Sequence, residues 1–175
     1  VPNQNQCKEC HLKSNAIMPI GPKSRNLNFS IQYEEKLANQ ISFWMEKEIV
    51  ENHVPLDLIV NWSDDAAPLT AKARAYLDIN CGHCHMPGGS ADTTGLNLNL
   101  TETEDRKIGI YKKPVAAGRA SEGMKFSIVP GKPNESILLH RMDSLDPGVM
   151  MPESGRKLSH SEGVALINDW IISLK

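Results

Sequence analysis

The chain has 175 residues, 40% apolar and 23% charged, with a net charge of −2 and a pI near 6.3. That describes an ordinary globular protein of one large or two small domains, able to bury a real core. The mildly acidic balance argues against nucleic acid as a partner, which asks for a basic surface, and no apolar run reaches the roughly eighteen residues of a membrane span.

Residues 1–30 are rich in Asn, Lys, Pro and Gly and carry Cys7-Lys8-Glu9-Cys10-His11 close to the start. Two thiols three positions apart, with a histidine straight after the second, form the C-x-x-C-H pattern of covalent c-type haem attachment. Cys7 and Cys10 are spaced to form thioethers to the two haem vinyl groups, and His11 to offer an imidazole nitrogen to the iron. The following Ile17-Met18-Pro19-Ile20-Gly21-Pro22 is predicted to be a loop, because so many prolines and glycines in a short stretch exclude helix. Met18 has two readings there, a thioether on the far side of the first iron or an apolar plug.

Leu37, Ile41, Trp44, Met45 and Ile49 recur at helical steps and predict a helix over 31–51. Met45 lies on its apolar stripe, and His53 just beyond offers a second imidazole for the first site. Residues 54–69, with Pro55, Asp57, Asn61, Ser63, Asp64, Asp65 and Pro68, are predicted to be a linker. Thr70 is then the expected N-cap of a helix running to about Ile79, with Tyr76 and Leu77 on its packing face.

That helix feeds directly into Cys81-Gly82-His83-Cys84-His85, the same pattern a second time, and the two motifs together consume all 4 cysteines. Cys81 and Cys84 are the second pair of attachment residues and His85 the second proximal ligand. His83, inside the motif, is expected to be a solvated variable position, and Met86 to face away from any distal role. Aromatic residues are scarce at 5%, which suits an interior partly filled by a flat apolar cofactor. The competing use of C-x-x-C pairs is a zinc site. The gap between the second and third cysteines is far wider than zinc pairs show, and zinc leaves both histidines unexplained.

Further on, Leu96-Asn97-Leu98-Asn99-Leu100 alternates as a short strand or an extended wall does. Pro130 to Ser136 reads as a turn opening a helix through Ile137, Leu138 and Leu139. Met150-Met151-Pro152 lies in a loop bounded by Gly148 and Gly155. Met151 is preferred to Met150 as the distal thioether of the second iron, because Pro152 stiffens the loop beside it. Ser159 and Glu162 have the spacing of a capping box. Val164, Ile167, Ile171 and Leu174 form the stripe of a closing helix, with Trp170 placed to meet Tyr76 or Leu77.

Helix, C-x-x-C-H, Met-Pro loop and final helix make residues 66–175 resemble a class I cytochrome c domain. Asn5-Gln6-Cys7 through His11, Pro19-Ile20-Gly21-Pro22-Lys23, Tyr76-Leu77-Asp78 through His85, and Met151-Pro152-Glu153 through Arg156 resemble a family of bacterial dihaem c-type cytochrome modules. Such modules are often found at the C-terminus of larger secreted proteins, and the start at Val1 is read as a processed form or a fragment. The resemblance implies a mainly α fold in two parts, an N-terminal haem-binding segment at 1–65 and a class I cytochrome c-like domain at 66–175. It also implies two haem c groups, a periplasmic or extracellular location, and electron transfer with a redox protein or a fused or associated oxidoreductase domain. For the ligand opposite His11 the sequence leaves Met18, Met45, His53, His140 or an open position. The alternative function is a small dihaem peroxidase or a haem sensor with one open iron, in which His53 or His140 supplies acid–base chemistry.

Overall fold

A computed structural model describes residues 3–18, 20, 23–51 and 59–175 of the protein. His53, one of the residues considered opposite His11, lies outside the described residues, as do Pro19, Gly21 and Pro22.

The first motif rides on α1 (Gln4–His11). Asn3 caps it by accepting from the Asn5 and Gln6 N–H groups, while the Gln6 side chain accepts from the Asn3 N–H at 3.0 Å, a reciprocal arrangement that satisfies first-turn donors. Positions three and four apart share a helix face, so Cys7, Cys10 and His11 lie on one side. A minimal hairpin, β1 (Leu12–Lys13) with β2 (Ala16–Ile17), follows. Its turn folds Met18 back onto the helix end, where the Met18 N–H donates to the His11 carbonyl at 2.7 Å.

After α2 (Ser24–Leu27) the chain departs from the helix expected over 31–51. Residues 30–39 form a second antiparallel hairpin, β3 (Ser30–Tyr33) with β4 (Lys36–Asn39), and only α3 (Gln40–Glu46) is helical. The turn residue Glu34 takes a positive φ of 45°, and Asn39 caps α3 through its side chain. The apolar spacing misled because Leu37 and Ile49 are exposed, while Ile41 alone of that stripe is buried.

The core is built where α4 (Leu69–Asn80) crosses α7 (Ser161–Ser173). Ala73, Tyr76 and Leu77 pack with Ile167, Trp170 and Ile171, and Leu98, Ile108, Ile128 and Leu139 complete the cluster. Ile108 ends α5 (Asp105–Ile108), and Leu139 belongs to α6 (Ile137–Asp143). Trp62 and His160 enclose Tyr76, whose hydroxyl lies 3.0 Å from His160 Nδ1. Two expected caps are absent. α4 begins after Pro68 rather than Thr70, and Ser161, not Ser159, meets Glu162, at 2.8 Å. Leu96–Leu100 is not a strand and has no strand partner among the described residues, and Leu98 packs into the core.

α7 approaches Tyr76 closely because residue 163 is glycine: a Cβ there would overlap the Tyr76 ring and hydroxyl. Overpacking at a rigid contact costs roughly 1–3 kcal/mol. The Gly163→Ala protein is expected to lose about 2 kcal/mol in urea unfolding, with little change in the slope of the transition.

Candidate metal and cofactor site

The last turn of α4 runs straight into the second motif, whose Cys84 and His85 N–H groups both return to the Cys81 carbonyl. This turn carries Cys81, Cys84 and His85 just past the core. Burial pushes the Cys81 thiol up to about 12, so it stays protonated.

Both motif histidines have one ring nitrogen committed. His11 Nδ1 lies 3.0 Å from the Met18 carbonyl, which can only accept, so Nδ1 carries the proton. His85 Nδ1 lies 3.2 Å from Thr94 Oγ1. The Thr94 hydroxyl spends its single proton on the Ala91 carbonyl at 2.7 Å, so it too accepts from the imidazole. In each ring the Nε2 lone pair is left to offer. A ligating histidine held by its other N–H in this way is the usual metal second-sphere arrangement. Burial first, and the charge of Arg141 next, push His85 down to about 4, which keeps it in the neutral form that metals bind. Each motif therefore presents two thiols and an imidazole with a free nitrogen, a donor set compatible with haem iron.

The structure brings the two motifs together. Cys10 Sγ, Cys84 Sγ and a His83 ring nitrogen all lie within 4.8 Å of one another, and the Cys84 thiol reaches the Glu9 carbonyl at 3.5 Å. Burial raises Cys10, with Cys84 adding to the effect. Burial also works to raise Cys84, but His83, Ser90 and Cys10 outweigh it and leave that thiol below its ordinary value. His83 is not the solvated residue expected. It is half-buried, and its Nδ1 is enclosed without a hydrogen-bond partner.

Met151 sits in a loop pinned to α6. Its N–H donates to the Arg141 carbonyl at 2.8 Å, Arg141 Nε donates to Val149 O at 2.8 Å, and Arg156 donates to the Arg141 and Ser144 carbonyls. The residue whose charge acts on His85 therefore also anchors the methionine loop. Met150 turns inward and is buried, whereas Met151 is half-exposed. The Met18 carbonyl meets His11 on the Nδ1 side of the ring, and the Met18 side chain lines the same cleft as His11. Met45 lines a separate hollow with Glu48, Ile49 and Val50, and His140 stands 3.8 Å from Glu122.

A residue that motif reading passed over holds the two parts in register. Asp78, fully buried in α4, receives Lys23 Nζ at 2.8 Å, Arg25 through two nitrogens at 2.7 and 3.1 Å, and the Leu100 N–H at 3.0 Å. The acidic residue was visible in sequence, but nothing local tied it to cations more than fifty positions away.

Compared with protein-family models, curated proteins and solved structures, the chain matches none. Among the described residues, no helix is long and apolar enough to cross a membrane.

Burial works to raise the Asp78 carboxyl, but Arg25, Lys23 and the Leu100 N–H outweigh it and hold it below the usual range. A carboxyl depressed on folding contributes stability that is complete above its unfolded value of about 3.9 and is lost as pH falls through the lower folded value. Asp78→Asn is expected to cost about 2 kcal/mol at neutral pH. The gap to the unmodified protein should narrow below pH ~4 in unfolding curves measured across that range.

Proposed function

We propose that the protein is a secreted dihaem c-type cytochrome that transfers electrons, with haem c attached through Cys7 and Cys10 and through Cys81 and Cys84. His11 and His85 are the proximal ligands, each presenting Nε2 while its Nδ1–H is held by an oxygen. In this reading residues 66–175 are the class I cytochrome c-like part and 1–65 the additional haem-binding segment of a mainly α, periplasmic or extracellular protein. The observation that carries it is the meeting of the two motifs, with Cys10 and Cys84 sulfurs within 4.8 Å. Attachment points so close favour a two-site relay over two independent carriers.

Haem, when bound, supplies a one-electron iron couple. The chain's own residues set its working conditions. Met151, tethered through Arg141 and stiffened by Pro152, would supply a thioether to the second site, and sulfur ligation would raise the potential of iron relative to a second imidazole. The low-polarity wall of Leu98 and the α4–α7 core restrict water there. The partner is a redox protein or a fused or associated oxidoreductase domain.

A second reading has one specific observation in its favour. Cys10, His83 and Cys84 form a soft three-ligand set of the kind that binds zinc, though it leaves Cys7, Cys81 and the two ordered proximal imidazoles without a task.

A pyridine haemochrome assay on protein made in a host that attaches haem is expected to find two haems per chain. Haem-free protein with one zinc per chain would overturn the proposal in favour of the second reading. Met151→Ala should abolish the methionine–iron charge-transfer band in the near infrared and lower one midpoint potential, leaving the haem count unchanged.

A further inference from the structure

Between α1 and the second motif lies a cleft of ≈ 320 Å³, lined by Cys10, His11, Met18, Asp78, His83 and Met86 among others. It holds both the histidine of the first motif and a histidine that belongs to the other motif. Two of its lining side chains, Asn26 through Oδ1 and His83 through Nδ1, bury a polar atom that makes no hydrogen bond, and of the two the imidazole is the usual ligand of haem iron. An enclosed imidazole nitrogen without a hydrogen bond is costly to leave unpaired, and ligating a metal ion is one way to recover that cost.

The other candidates for the position opposite His11 are placed less well. Met18 also lines the cleft, with its backbone tied to His11, but its side chain is 46% exposed. Met45 lines a different hollow. His140 stands beside Glu122 on α6 and does not line the cleft. Met86 does line it, but brings a thioether with no unmet bonding requirement.

The spacing of the second motif explains how His83 comes to face this way. His83 stands between the two cysteines of its turn, and its ring reaches the Cys84 sulfur beside it. With the N-terminal segment docked by Asp78, that direction leads to Cys10, whose sulfur lies within 4.8 Å of a His83 ring nitrogen. From this we infer that His83 is the sixth ligand of the iron held by Cys7, Cys10 and His11. The attachment loop of one haem then closes the site of the other. The inference rests on the dihaem reading, and it makes the first site bis-histidine and the second histidine–methionine.

The test compares the loaded wild-type protein with His83→Ala, His83→Met, Met18→Leu and Met86→Leu, using haem count, electron paramagnetic resonance and near-infrared spectra of the ferric forms. In the wild type, two haems per chain should both be low-spin, one with a bis-imidazole signature. His83→Ala should keep both haems but convert one to high spin, and added imidazole should restore it. His83→Met, which keeps a ligand and the fold, should replace the bis-imidazole signature by a second methionine band. Two haems with an unchanged spectrum in His83→Ala would overturn the inference and leave the dihaem reading standing. So would a spectral change confined to Met18→Leu or Met86→Leu, or a wild-type first haem already high-spin. Wild-type protein without haem would remove both.

Discussion

The arrangement depends on one enclosed carboxylate. Asp78 has no exposed surface, and an isolated charge in such a place costs several kcal/mol after relaxation. Its compensation comes from Lys23 and Arg25, both on the N-terminal segment, together with one backbone N–H of the wall at Leu100. The ionised form is therefore stable only when that segment is docked, and the segment docks where it can deliver both cations. Arg25 engages both carboxylate oxygens, a bidentate geometry that lysine at the same place cannot reproduce. Docking and ionisation are two faces of one equilibrium, and they act three residues ahead of Cys81.

The meeting of the motifs follows from that docking. The β1–β2 hairpin is laid against the loop after His85: the Ser14 N–H donates to the Gly88 carbonyl at 2.9 Å, and Lys13 pairs with Gly89. The loop admits the hairpin only because it is glycine. Gly88 has a φ of +75°, and a Cβ there would lie 2.8 Å from Ser14 Oγ. A Cβ at Gly89 would overlap the Cys84 carbonyl. A side chain at 88 would press on the Ser14 hydroxyl of the hairpin, and one at 89 would press on the path of the motif itself. At the far end, Glu9 accepts from Ser154 at 3.4 Å, so α1 also touches the stretch just after Met151.

Local pattern made part of this legible. The two C-x-x-C-H stretches, the limits of α4 to within two residues, and the packing of α7 on Tyr76 and Leu77 are all written in short-range spacing and in a broad apolar stripe. The β3–β4 hairpin was not, because Leu37 and Ile49 supplied helical periodicity while lying on the surface. The expected caps failed for a related reason: Thr70 as an N-cap and Ser159 with Glu162 as a capping box suit the local sequence, but Pro68 and His160 are where the backbone turns. The docking of the N-terminal segment was invisible altogether. Asp78 and its cations, Cys10 and Cys84, and Glu9 and Ser154 are pairs separated by fifty to nearly one hundred and fifty positions, and no period or motif encodes such a meeting.

The spacer residues of the second motif show why that distance matters for chemistry. C-x-x-C-H is usually read through its cysteines and histidine, with the two intervening positions treated as free. Here neither is. Gly82 is buried, and a Cβ on it would lie 2.8 Å from the Asp78 carbonyl and 3.3 Å from that of Leu98, so this position belongs to the packing of α4 against its own wall. His83 takes the remaining direction, toward Cys10 and the cleft of the first motif. One spacer is committed inward by steric closeness and the other outward by the docked segment. A substitution at either is therefore felt at both motifs: Gly82 through the path of the chain from Asp78 to Cys84, His83 through the nitrogen it presents to its neighbour.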